Sequence, residues 1–147
     1  MRQDNAAADI LKRTIKHPRG YLRDTGLLHA LLRIPDSEAL LSHPQMGASW
    51  EGMVVEEILR QLNAQGAAFE SSHYRTGGGA EVDLVLEGSF GLVAFEIKHT
   101  STCTMRELRA LRDFVTEHGA RFGVVINNDV SPRVYEERLI GVPFTYL

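Results

Sequence analysis

The sequence predicts an α/β fold: a central mixed β-sheet, built from an antiparallel hairpin plus a parallel strand, flanked by α-helices. Three observations predict it. Apolar residues recur at spacing four between Gly47 and Leu62, which marks a helix. They alternate at spacing two on either side of Gly88-Ser89-Phe90-Gly91, which marks a hairpin. A capped helical segment then leads to a further apolar strand, and a strand, crossover helix and strand in succession make the flanking strands parallel. The chain of 147 residues is 44% hydrophobic and 24% charged, an ordinary globular mixture for one compact domain. Within it, residues 1–45 are expected as a basic, helical N-terminal segment packed on a core of residues 46–147.

From Lys12 to Arg23 five basic side chains (Lys12, Arg13, Lys16, Arg19, Arg23) occur with no acidic one between them. Such a run is either a solvated face or a contact for phosphate or an acidic partner. Asp24-Thr25-Gly26 opens an apolar stretch, Leu27 to Ile34, expected as a short helix stopped by Pro35. The clearest helix spans Gly47 to Leu62, with Trp50, Val54, Ile58 and Leu62 on one stripe and Gly66 as a stop. At about 100° per residue, Glu51 falls between Ile58 and Leu62 on the apolar arc, whereas Glu56 and Arg60 lie opposite. Glu51 is therefore the one carboxylate this helix directs inward. A buried charge needs a cation or hydrogen-bond donors. The alternative is an N-terminal-turn Glu satisfied by the helix dipole.

Period two takes over beyond this helix. Val82, Leu84 and Leu86 alternate with Glu81, Asp83 and Val85; after the turn, Val93, Phe95 and Ile97 alternate with Ala94, Glu96 and Lys98. A turn centred between Ser89 and Phe90 sets Asp83 directly opposite Glu96. Both carboxylates and Lys98 then share one face, and the aliphatic set covers the other. Thr104, with Glu107 three residues on, reads as a capping box opening a helix that carries Leu108, Leu111, Phe114 and Val115 inward and ends at Gly119. Arg106, Arg109 and Arg112 lie off its apolar stripe as a solvated face. Phe122 to Ile126 is the parallel strand, bounded by Asn127-Asn128, and Val142 to Tyr146 a final strand.

The pieces that carry chemistry are Glu51, Asp83 and the run Glu96-Ile97-Lys98. Mg2+ or Mn2+ prefers hard oxygens and is usually held by one or two carboxylates together with substrate phosphate oxygens. Asp83 and Glu96 supply the acids, the backbone carbonyl of Ile97 a further oxygen, and Glu51 an auxiliary ligand. Lys98, an ammonium beside the attacking water, can stabilise its hydroxide form for in-line attack on phosphorus. The competing account is a cross-strand salt bridge among Asp83, Glu96 and Lys98 on an exposed sheet face, worth about 0.2–1 kcal/mol. Tyr74 and Arg75, just before Gly77-Gly78-Gly79, suit contact with a nucleic-acid backbone, or equally strand-edge packing.

The residues Arg23-Asp24-Thr25-Gly26-Leu27-Leu28, Gly47-Ala48-Ser49-Trp50-Glu51-Gly52, Tyr74-Arg75-Thr76, Ala80-Glu81-Val82-Asp83-Leu84-Val85-Leu86 and Ala94-Phe95-Glu96-Ile97-Lys98 together resemble the DUF4143 family. That family is the C-terminal domain of prokaryotic AAA-type ATPases, similar in turn to the PD-(D/E)xK restriction-endonuclease-like nucleases. The resemblance runs from about Arg19 to near the end of the chain. It implies a restriction-endonuclease-like core over residues 46–147. It also implies a Mg2+-dependent nuclease acting on DNA or RNA, with Glu51, Asp83, Glu96 and Lys98 at the positions of the helix Glu and the motif Asp, Glu and Lys. An AAA-type ATPase is the implied partner. No GxxxxGK[ST] phosphate loop occurs here, so ATP hydrolysis is not assigned to these residues.

Other classes are weaker. The six histidines form no HxxxH pair and Cys103 stands alone, so neither a zinc site nor an internal disulfide is expected. No run of about 18 apolar residues occurs, and a cytoplasmic location without membrane contact is expected. The net charge of -3 gives no general argument for nucleic acid. The alternative to an enzyme is a catalytically silent module of the same fold that docks nucleic acid or an ATPase.

Overall fold

The computed structural model describes Gly20 and residues 22–147. Lys12, Arg13, Lys16 and Arg19 of the basic run lie outside the described residues. Arg23 grips the Glu56 carboxylate, its Nε 3.0 Å from both oxygens and its Nη2 2.7 Å from one. At this end of the run the partner is an acid of the chain itself.

Helix α1 (Thr25–Leu31) starts where the Asp24 carboxylate accepts from the Leu27 N–H at 2.9 Å, and α2 (Ser37–Leu41) is capped in the same way by Asp36. The helix expected over Leu27 to Ile34 thus begins earlier and stops sooner. Its stop is Arg33, whose φ of 55° puts it in the left-handed region and lets the Ile34 N–H reach back to His29 O at 3.0 Å; Pro35 lies beyond the break. Helix α3 (Met46–Ala64) is the predicted spacing-four helix and buries Val54, Val55 and Ile58. His29 Nε2 meets Ser49 Oγ at 2.6 Å and, with the Arg23–Glu56 pair, fastens α1 and the residues just before it to α3. No helix among the described residues is long and apolar enough to cross a membrane.

Six strands form one mixed sheet: β1 (Phe69–Arg75), β2 (Glu81–Gly88), β3 (Gly91–Ile97), β4 (Phe122–Asn127), β5 (Arg133–Glu136) and β6 (Leu139–Pro143), in the order β1-β2-β3-β4-β6-β5. The β2–β3 hairpin has the predicted register, Leu84 facing Phe95 and Gly88 facing Gly91. β4 runs parallel to β3, also as predicted, and Glu96 faces Val125. The crossover helix α4 (Arg109–His118) is shorter than the expected Thr104 to His118. The capping box does form: Glu107 Oε2 accepts from Thr104 N and Oγ1 at 2.7 Å each. The turn it caps is tight, with Arg109 N reaching Arg106 O, three residues back, so regular α-helix starts only at Arg109. The expected last strand also moves, to β6, because Leu139, Gly141 and Pro143 are its buried side; Phe144–Tyr146 form a 3-10 turn.

The inner part of the sheet is buried on both faces, whereas the edge strands β1 and β5 are mostly exposed. Leu84, Leu86, Ile97 and Ile126 pack against Val54, Val55 and Ile58 of α3, whereas Val82, Val85, Ala94 and Val125 pack against Leu111, Phe114 and Val115 of α4. The exposed sheet face that the competing salt-bridge account supposes is not found, because α4 covers this side of the hairpin. Val82 and Leu84, two residues apart, lie in opposite layers because the pairing slips between Ser72 and Tyr74. Ser72 faces Val85 and Tyr74 faces Val82, so His73 alone spans Asp83 and Leu84. This bulge turns the strand at Asp83, the kind of irregularity that re-aims a side chain beside a functional site.

Gly123 shows how closely α4 lies on the sheet: a Cβ there would stand 2.8 Å from Leu139 Cδ1 and Val115 Cγ2. Gly123→Ala is expected to lower stability by about 1–3 kcal/mol through overpacking, with an unchanged m-value. Urea unfolding measures this, and a neutral substitution would contradict the packing described.

Candidate functional site

The site forms where β2 and β3 part. Their ladder ends at Leu84 and Phe95. At the next position, where two residues of opposite strands would normally face each other, Asp83 Oδ2 accepts from the Ile97 backbone N–H at 2.8 Å. Asp83 thus replaces a backbone partner and holds its carboxylate against the end of β3. Glu96 is 8% exposed, and its Oε1 lies 2.7 Å from Lys98 Nζ. Its other oxygen, Oε2, is buried with no hydrogen-bond partner. Lys98 follows directly on β3 and is held to β4 by its N–H, which donates to Ile126 O at 2.9 Å.

Glu51 comes from the first turns of α3. Its neighbour Trp50 places it: the indole meets the His99 ring edge-on and the Phe144 ring at a tilt, both at 5.0 Å between centroids. That contact fixes the start of α3 against the segment following Lys98. Glu51 is half-buried, and its charge is felt at Glu96.

The electrostatics follow from this crowding. Burial is the largest influence on Glu96 and, with the Asp83 carboxylate, pushes its pKa up to about 7; the bond to Lys98 opposes the rise, and Glu51 adds to it. Burial pulls the Lys98 ammonium down, but the bond to Glu96 and the charges of Glu96 and Asp83 outweigh it, so Lys98 stays charged above its ordinary value. Both partners of the pair move upward, Glu96 chiefly through burial and Lys98 through its bond to Glu96 and the charges of Glu96 and Asp83.

Among the described residues, no three or more His, Cys, Asp or Glu side chains are arranged so that they could hold a metal ion. The physical reason is visible in the pairings: Lys98 draws Glu96 Oε1, and Ile97 N–H draws Asp83 Oδ2. The donor set nevertheless suits a hard divalent cation, because a buried carboxylate oxygen lacks a partner and two further carboxylates act on the same group. The Ile97 side chain packs in the α3 layer and its N–H is taken by Asp83.

The two residues expected at the substrate separate. Tyr74 is 7% exposed, its ring 4.9 Å from that of Phe114 and 5.3 Å from that of His118, so it is a core residue beneath α4 and not a surface contact. Arg75 is exposed on the edge strand opposite Glu81. Arg109 and Arg112 form loose ion pairs with Asp113, at 3.4 and 3.6 Å, on the solvated face expected of them. Cys103 is a free, half-buried thiol whose pKa burial raises. Sequence reasoning missed the clasp of Asn128 on the segment after Lys98, where Nδ2 donates to His99 O at 3.0 Å and the backbone N–H to Thr100 O at 3.1 Å. The Asn127-Asn128 pair at the strand end was its only signal.

Residues 46–147 match the family described as "Domain of unknown function (DUF4143)". Over 95 residues, 65% of this chain, the sequence is 50% identical to the uncharacterized protein Rv2008c of Mycobacterium tuberculosis and to the uncharacterized protein Mb2031c of Mycobacterium bovis. The match spans 21% of the length of these relatives. Among solved structures, SfsA of Pyrococcus furiosus in complex with Ca2+ is similar over 67% of this chain and 45% of its own, at 18% identity and a TM-score of 0.35.

The raised pKa of Glu96 gives a signed prediction for the metal-free protein. The native carboxyl holds its proton up to about 7, the unfolded one only to the ordinary 4.5. The stabilisation is fully present below 4.5 and is lost as pH rises through about 7, a change on the order of 3 kcal/mol. Melting temperature should fall over that window in the wild type and fall less in Glu96→Gln. Equal slopes in thermal scans would show that Glu96 is not the group responsible.

Proposed function

The chain belongs to the DUF4143 family, and from that premise we propose that Glu51, Asp83, Glu96 and Lys98 form the active site of a Mg2+- or Mn2+-dependent nuclease. It is of the PD-(D/E)xK, restriction-endonuclease-like kind and hydrolyses phosphodiester bonds of DNA. The observation that carries this reading is Glu96: a buried carboxylate in contact with Lys98, carrying an unpartnered oxygen, and under the charges of Asp83 and Glu51. A cluster kept only as a salt bridge has no need of three acids around one cation.

Asp83, Glu96, Glu51 and the Ile97 carbonyl are the groups that would hold the ion. When bound, it supplies positive charge to the phosphate oxygens as negative charge develops there. The chain's own residues do the rest. Asp83, fixed by the Ile97 N–H, keeps its carboxylate at the fork of the hairpin. Lys98 is 35% exposed at its side chain and remains an ammonium, so it can reach substrate from a partly dry position. It orients the attacking water and stabilises negative charge on its oxygen. That oxygen bonds to phosphorus and gives up its proton to solvent, the bond to the leaving sugar oxygen breaks, and the leaving oxygen takes up a proton from solvent, so that one water is consumed.

A second reading has two observations in its favour: Lys98 and Glu96 are already paired, and among the described residues no three His, Cys, Asp or Glu side chains converge for an ion. On that reading the chain is a silent module docking nucleic acid or an AAA-type ATPase. The relatives' greater length leaves room for such a partner, which is itself a proposal.

Two measurements separate the readings. Millimolar Mn2+ should raise the melting temperature of the wild type, because a ligand bound only by the folded state stabilises it, and Asp83→Ala should abolish the rise. Absence of any rise in the wild type favours the docking module. Incubation with single-stranded, duplex and branched DNA, and with RNA, should show metal-dependent cleavage, reduced about 10²–10⁴-fold in Lys98→Ala. Cleavage unaffected by that change would sink the assignment.

A further inference from the structure

Asn127 ends β4 and is completely buried. Its Oδ1 accepts from the Asp129 backbone N–H at 3.1 Å. Only an oxygen accepts from a backbone N–H, so this bond fixes which end of the amide is which. Nδ2 carries the two donor hydrogens, and it is buried without a protein partner. Leaving a buried donor unmatched costs about 1–3 kcal/mol, which leucine, close in volume, would avoid.

The ladder shows what lies beside it. Val125 faces Glu96 across the parallel β3–β4 pair and packs in the layer under α4, whereas Ile126 packs in the α3 layer. By the same alternation Asn127 lies on the face of Val125, hence of Glu96 and Lys98. Lys98 N–H donates to Ile126 O, so Asn127 is the β4 residue level with Lys98 and diagonal to Glu96. One strand across and two residues along put their Cα atoms about 8 Å apart, a span that the two side chains and one hydrogen-bonded water cover. Glu96 Oε2, an acceptor, and Asn127 Nδ2, a donor, are both buried and both without a protein partner. The next residue of the same turn acts on the neighbouring segment too, Asn128 holding His99 and Thr100 by the bonds described.

We infer that Asn127 is a positioning residue for Glu96: its Nδ2 donates to Glu96 Oε2 through one bound water and sets the carboxylate's orientation beside Lys98. The inference deepens the proposed nuclease reading and rests on it for its consequence, the readiness of Glu96 to take a metal ion. A neutral donor suits this place, because a second cation would compete with the ion and a further acid would add to the repulsion already acting on Glu96.

The test has an arm that needs no activity. In the metal-free protein, the side-chain amide resonances of Asn127 should be slow to exchange with solvent and should shift in Glu96→Gln, while those of Asn63 and Asn128 stay in place. An Asn127 amide that does not respond overturns the inference, whatever the protein's activity. In the second arm, Asn127→Leu should remain folded and weaken the Mn2+ midpoint of thermal stabilisation about tenfold, with Asn127→Ser, which keeps a donor, recovering part of the loss. A full Mn2+ response in Asn127→Leu also overturns it. Should Asn127→Leu not fold, the amide shift and Asn127→Ser decide. A responding amide in a wild type that neither binds Mn2+ nor cleaves DNA supports the link between Asn127 and Glu96 and removes the nuclease reading alone.

Discussion

A carboxylate held inside a two-sided protein layer must be compensated, and Glu96 is that carboxylate. It stands on a strand covered by α3 on one side and α4 on the other, and its 8% exposure leaves almost no water to share its charge. One bond to Lys98 offsets part of the cost. Asp83 and Glu51 work against it, since both carboxylates raise the free energy of the ionised form. The arrangement stays incompletely compensated until a proton or a cation arrives. Apolar residues in the same places would remove that cost, so the polar cluster has to be understood through what it can bind.

The rest of the fold brings these groups to one corner and keeps them there. The bulge at Asp83 lets β2 leave β3 without losing its hydrogen bonds, because the Asp83 side chain replaces a backbone acceptor for Ile97. Trp50, wedged against His99 and Phe144, ties the first turns of α3 to the far end of β3 and β6, which brings Glu51 within electrostatic reach. On the other side, α4 lies so close to β4 that a glycine is required at position 123. A site assembled from a helix start, a bulge and a strand end depends on packing from both layers, and neither layer reaches far from it.

What the sequence made legible was local. The hairpin register follows from a short turn flanked by alternating residues, and it placed Asp83 and Glu96 on neighbouring strands. Glu51 stood out because a helical wheel is a local calculation. Features set by distant pairing were hidden. The slip between β1 and β2 depends on how Ser72 and Tyr74 meet residues about ten positions on, and nothing in the alternation of Val82 and Leu84 announces that they belong to opposite layers. Tyr74 looked like a surface residue because its partners, Phe114 and His118, are some forty positions away. The left-handed turn at Arg33 carries no glycine to signal it, and β5, mostly exposed, has no apolar alternation to read.

Charge adds a last constraint on the proposed chemistry. The chain is net negative, a nucleic acid is strongly so, and the candidate site itself gathers three acids around one lysine. A phosphodiester approaching that site without a cation would meet repulsion from the groups meant to act on it. A divalent ion would change the sign of the local field, relieve the repulsion on Glu96 and offer the phosphate a positive partner at once. On the proposed reading, then, metal binding and substrate binding are coupled steps at this site, because the same unneutralised acids oppose the phosphate and attract the ion. The fold supplies the negative half of the site, and Lys98, placed by the end of β3 against β4, supplies a positive group from the chain itself.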